Sequence, residues 1–280
     1  MVDGVNPARS PADVRLERQI RAASRGRSPT PQERETLERI RPPREFPLRV
    51  AVQPYDGSMA MLPVAQLYAR DVPDLRTPEG ADLLQVLWCP FDHPIMPRTV
   101  LVWRSAATIT DILPAPPEPP AMQFDSYLPE PCLLHPEQVT EYPDHLELSA
   151  DLREQLRQWR VPQAAEEDMD PWTYYDCVLS SAPGWKVGGW PAWDSTDPVP
   201  RPCPECGTET EVLLTIATFE EGDDAGRSWS PSDAPAAERP SGSEHFDPDQ
   251  PTAVQIGGGY RQQLHVCPAA PEHPHIELMT

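Results

Sequence analysis

A β-dominated α+β fold, with two related antiparallel sheet units and peripheral helices, is what three features of the sequence predict. Proline is abundant (39 of 280 residues) and glycine is not (14). Proline ends helices and central strands, so short strands joined by stiff loops are favoured over long helices. Apolar runs of strand length come in two groups, DLLQVLW with TVLVWR and EVLLTIAT with RQQLHVC. Both groups share Leu-Leu, any residue, then Val or Ile, an internal echo that suggests two similar sheet units. The third feature is CPECG at Cys203–Gly207, whose two-residue spacing adds a zinc-knuckle turn to the fold.

Residues 1–46 read as an Arg-rich, weakly helical arm, mobile, packed on a partner or docked on its own body. Ser10-Pro11 and Thr30-Pro31 each place a hydroxyl cap before proline at the first helical position, with an acid two residues further on. Leu16, Ile20 and Ala23 make a thin stripe in the first helix, and Leu37 with Ile40 a thinner one in the second. The main domain is expected over 47–280. Its first half, 47–113, opens with PLRVAVQ as a strand, then a helical turn or two near 64–69, then the DLLQVLW and TVLVWR strands. A Pro-rich and helical connector covers 114–183. In it Gln138–Tyr142 is a candidate strand, and Ser149 caps a helix that Val161-Pro162 ends. Leu152, Leu156 and Trp159 share one face of that helix. A second helix starts at Asp170-Pro171, with Trp172, Tyr175 and Leu179 on its buried side. The second half, 184–280, holds the knuckle, EVLLTIAT, a mobile acidic loop at 220–251 without apolar periodicity, two closing strands at 252–256 and 260–267, and an irregular end.

Charge narrows the function classes. Basic residues number 23 and acidic residues 44, a formal net charge of −21. The first fifty residues carry 11 Arg against 7 acids, while the remainder carries 12 basic against 37 acidic residues. An acidic body repels nucleic acid and anionic membrane and attracts a basic protein or peptide client. No apolar run is long enough to cross a membrane and no apolar leader is visible, so a cytoplasmic protein with reduced or metal-bound cysteines is expected.

In the knuckle, two thiolates can reach one tetrahedral ion at ~2.3 Å, with Gly207 allowing the backbone to turn behind them. Cys203 and Cys206 supply half a site. Cys267 is the candidate third ligand. His265 shares its face on an extended strand and is the candidate fourth; His273 and His275 compete for that place. Cys89 and His93 in CPFDH are an alternative pair. Cys132 and Cys177 read as small apolar residues, the tryptophans as core and turn anchors, and Gly257-Gly258-Gly259 as a hairpin turn. A redox C-x-x-C would open a helix, whereas this one leads into a strand. No nucleophile elbow, HExxH or P-loop occurs.

The order GGWPAW, CPECG, EVLLTIAT and a strand ending in Cys267 resembles the bacterial YwqG-like domain of unknown function. It is more distantly similar to the programmed cell death protein 2 family. The likeness covers roughly Tyr55 to the C-terminus, with Gln85 matching a family Leu-Leu-Gln strand and Thr215 departing from it. The resemblance implies a β-rich, twofold-repeated domain with a non-catalytic role, as an escort for a ribosomal protein or an immunity partner of a toxin, both basic clients. The reading is a non-enzymatic acidic adaptor, escort or immunity-type protein stabilised by structural Zn²⁺. The alternatives are a zinc-dependent hydrolase or a domain with a purely structural role.

Overall fold

Hydroxyl caps start both N-terminal helices in the computed structural model, which describes residues 8–41, 58–93, 95–166, 168, 170–171, 174–193, 196–220, 229 and 250–280. Ser10 accepts from the Asp13 amide at the head of α1 (Pro11–Ala23), and Thr30 forms a reciprocal capping box with Glu33 at the head of α2 (Pro31–Ile40). These contacts satisfy amides that the first helical turn leaves open. By internal contacts the chain forms two units. One comprises Met1–Gln66, Leu84–Cys132 and Arg239–Val254; the other comprises Leu67–Leu83, Leu133–Glu238 and Gln255–Thr280.

Most of a three-stranded sheet ordered β1 (Leu62–Tyr68), β2 (Leu83–Asp92), β3 (Pro97–Arg104) belongs to the first unit. The stretch expected to be a helical turn near 64–69 is strand instead. It is an edge strand, a position in a sheet that tolerates a proline such as Pro63. Central β2 buries Leu84, Val86 and Trp88 almost completely. Trp88 Nε1 donates to the Tyr127 carbonyl at 2.9 Å, and the Trp88 and Tyr127 rings lie 5.7 Å apart. The Arg-rich arm is docked on its own unit over residues 9–41. Arg9 bridges Glu17 and Asp125, Arg15 pairs with Glu118, and Arg18 reaches Glu130 and the carbonyls of Asp125 and Leu128. The buried face of α1 is Pro11, Val14 and Glu17, and Leu16 and Ile20 are only half-buried.

The second unit holds a four-stranded antiparallel sheet ordered β4 (Lys186–Val187), β5 (Glu211–Ala217), β6 (Arg261–Val266), β7 (Ile276–Met279). β7 replaces the irregular end expected from the sequence, because Ile276–Met279 returns along β6 and supplies its second ladder. The strand expected at 252–256 is absent. Ala253 at φ +53° and three glycines at positive φ from 257 to 259 bend the chain, leaving one bridge, Ile256 to Tyr260. Nor is Gln138–Tyr142 a strand. Helix α3 (Ala150–Glu166) runs through Pro162 rather than ending there, and it buries Arg160 and Ala164 while Leu152 and Trp159 are exposed. The second predicted helix takes a wide π-helical form at Tyr174–Ser180, with Tyr175 buried. The PLRVAVQ strand, Trp172 and nearly all of the 220–251 loop lie outside the described residues.

Candidate metal centre

Strand register places the centre. Glu211 at the start of β5 lies opposite Val266 at the end of β6, and His265 lies opposite Ile276 at the start of β7. The segment before β5 and the β6–β7 loop therefore meet at one end of the sheet. The first is the knuckle. Pro202 bridges Glu209, the Cys203 amide donates to the Thr208 carbonyl at 2.7 Å, and the Gly207 amide to the Cys203 carbonyl at 2.9 Å. Gly207 sits at φ +74°, a conformation glycine adopts without a Cβ clash. Outside the turn, Thr210 donates twice to the Arg201 carbonyl, and Arg201 stacks over the Trp193 ring at 4.8 Å. The β6–β7 loop carries the other half: Cys267 follows β6 directly, and the His273 amide closes a turn on the Ala270 carbonyl at 3.0 Å.

Cys203, Cys206, Cys267 and His273 converge so that one ligand atom from each lies within 4.8 Å of every other. Cys203 Sγ is 3.4 Å from His273 Nδ1, and Cys206 Sγ is 3.5 Å from Cys267 Sγ. Cys203 and Cys267 are buried and Cys206 is exposed. Three sulfurs and one imidazole nitrogen at this spacing can hold a metal ion. Two of the four groups, Cys203 and Cys206, shift toward the deprotonated form that binds metal, and two, Cys267 and His273, shift away from it. The Thr208 hydroxyl and amide, both turned on Cys206 Sγ, bring that thiol down to about 6. Burial raises the Cys203 thiol, but the Cys206 and Glu205 amides and His273 outweigh it and lower it overall. Cys267 is raised, first by burial and then by its hydrogen bond with Cys206. His273 is raised by Cys203 and then by Cys206.

The structure brings together three of the four residues singled out as ligands, and His273 stands where His265 was expected. His265 is fully buried inside β6, its Nε2 3.2 Å from Gln263 Oε1, and burial, then Arg201, lowers it to about 4. β6 ends at Val266, so Cys267 already belongs to the loop and turns toward the knuckle instead of sharing a strand face with His265. His275 lies by Glu277 at 3.6 Å. Cys89 and His93 belong to no ligand group among the described residues, and burial raises the Cys89 thiol.

A second grouping, Asp144, His145 and Asp176, carried no sequence signal because its members lie in segments without motif spacing. His145 Nδ1 is 2.6 Å from Asp176 Oδ2, and Asp144 caps its own short turn by accepting from the Leu146 amide at 2.8 Å. Burial raises the Asp176 carboxyl, with His145 and fully buried Arg160 supplying countercharge. The His145–Asp176 contact ties the 145–147 turn to the π-helical segment. Among known proteins, no family model, curated protein or solved structure matches the chain.

Proposed function

We propose that the chain is a non-enzymatic, acidic protein-binding module whose second sheet is clasped by a structural zinc ion, and that it serves a basic client as adaptor, escort or immunity-type partner. The observation that carries the zinc reading is the four-donor cluster. In a tetrahedron with Zn–S ~2.3 Å and Zn–N ~2.05 Å, sulfurs lie about 3.8 Å apart and sulfur and nitrogen about 3.6 Å apart. Two pairs of the cluster, Cys206–Cys267 at 3.5 Å and Cys203–His273 at 3.4 Å, are near those edges, and every pair lies within 4.8 Å. Soft thiolates with one imidazole select zinc over hard cations. Four protein ligands close the shell and leave no position for a substrate or an activated water, which argues for a structural rather than a hydrolytic ion. The net charge of −21 and the resemblance set out above support a basic client.

Metal analysis of the purified chain tests the zinc reading. Zinc at about one equivalent is expected in the parent, and its loss in Cys203→Ser. Metal-free parent protein would overturn it. For the client, capture of a basic partner should weaken by about tenfold or more between low and moderate salt; capture indifferent to salt would overturn the electrostatic part.

A further inference from the structure

The four ligands are not equally shielded. Cys203 and Cys267 are buried, while Cys206 stands at the outer rim of the knuckle, exposed. Its Sγ lies 3.4 Å from the Thr208 hydroxyl and 3.5 Å from Cys267 Sγ, with Cys203 and His273 also within the 4.8 Å cluster. Cys203 Sγ lies 3.4 Å from the His273 ring nitrogen. One ligand thus faces solvent, and Cys267 Sγ, carried on the other loop, lies within reach to resolve an oxidised form of it. Metal-bound thiolates keep nucleophilic character, and accessible ones are the entry point for peroxide.

We propose that Cys206 is an oxidative modification site, at which peroxide converts the zinc clasp into a Cys206–Cys267 disulfide and releases the ion. The proposal rests on the zinc reading above. Cys206 thiolate attacks hydrogen peroxide, the O–O bond breaks, and the sulfur leaves as a sulfenic acid with one water formed after protonation. Cys267 sulfur then displaces hydroxide from that sulfenic acid, forming the S–S bond and a second water. Two thiolates lose two electrons in all, peroxide gains them, and two protons are taken up from solvent. With half its ligands consumed, the site no longer holds zinc. Cys203 and His273 remain, and the β6–β7 loop stays tied to the knuckle by a covalent bond in place of the ion.

The test uses the full chain. Zinc is quantified before treatment with hydrogen peroxide, then released zinc and remaining thiols are followed together, with disulfides mapped by mass spectrometry. The Cys132→Ser variant removes another exposed thiol and keeps the zinc ligands. The expected result is release of about one zinc with loss of about two thiols per chain, a Cys206–Cys267 linkage, the same stoichiometry in Cys132→Ser, and recovery on reduction with added zinc. No zinc before treatment would overturn the zinc reading and this proposal with it. Zinc present at the start but retained under peroxide, or released with a Cys203–Cys206 linkage, would overturn this proposal alone.

Discussion

Glu17 shows how one side chain can anchor a segment whose composition favours solvent. Its carboxylate is nearly buried and accepts from Arg9 and Arg21, each at 2.8 Å, and from Arg41. Burial pushes the carboxyl up, but Arg41, Arg21 and Arg9 together bring it down to about 2 from an ordinary 4.5. A depressed folded value contributes stability that is complete above the unfolded value and is lost as pH falls through the folded one. Acid should therefore loosen the docked arm between about pH 4.5 and about pH 2. Glu17→Gln should flatten that part of the stability curve and cost about 2–4 kcal/mol at neutral pH by leaving clustered guanidinium groups without their counterion. Urea unfolding at several pH values would check both, and an unchanged acid limb in the variant would count against the assignment. Sequence patterning could not find this contact, since a glutamate at a core-facing helix position looks like an ordinary surface charge until its arginines arrive from either end of the arm.

At the scale of elements, the GGWPAW turn is held by a carboxylate from a distant coil. Glu141 accepts from the Ala182 amide at 2.7 Å, Lys186 Nζ at 2.5 Å and the Trp190 amide at 2.9 Å. Gly189, at φ +78°, lets the chain pass over it; a Cβ there would lie 2.0 Å from Glu141 Oε2. Gly189→Ala should lower stability by about 2 kcal/mol or more, combining left-handed backbone strain with displacement of a triply bonded carboxylate. A drop in urea midpoint at unchanged m-value is the expected result. The turn and its double glycine were legible in the sequence, as were the β2, β3, β5 and β6 strands, because turn chemistry and apolar runs are local signals. What fills the turn was not legible, because Glu141 lies in Gln138–Tyr142, a candidate strand with no signal tying it to a distant turn. Likewise Leu152 and Trp159 share a helical face as the spacing says, yet α3 turns that face outward and buries Arg160 instead. Periodicity identifies a face without saying which side the core is on.

At the scale of the whole molecule, the ligands of the proposed ion all belong to the second unit. Chelation should therefore act unevenly. Amide exchange is expected to speed up in β5, β6 and β7 after zinc removal, with β1–β3 changing much less, because an ion that binds only the folded state stabilises the strands it ties together. Uniform acceleration across both sheets would contradict a local clasp. Three of the four donors could be found from the sequence because CPECG and a strand-ending cysteine are spacing signals. The fourth depended on where β6 stops, and strand ends are set by loop geometry that alternation does not encode.

Lys186 is the only lysine in the chain, and its ammonium group is drawn against Glu141 with a tenth of the side chain exposed. Acylating reagents therefore meet no freely presented side-chain amine, so dyes or surfaces meant to couple through lysine would attach poorly to the native fold. The same scarcity makes this residue a built-in clock: the rate at which it becomes acylated reports how often the turn around Glu141 comes undone, with no second lysine to blur the reading.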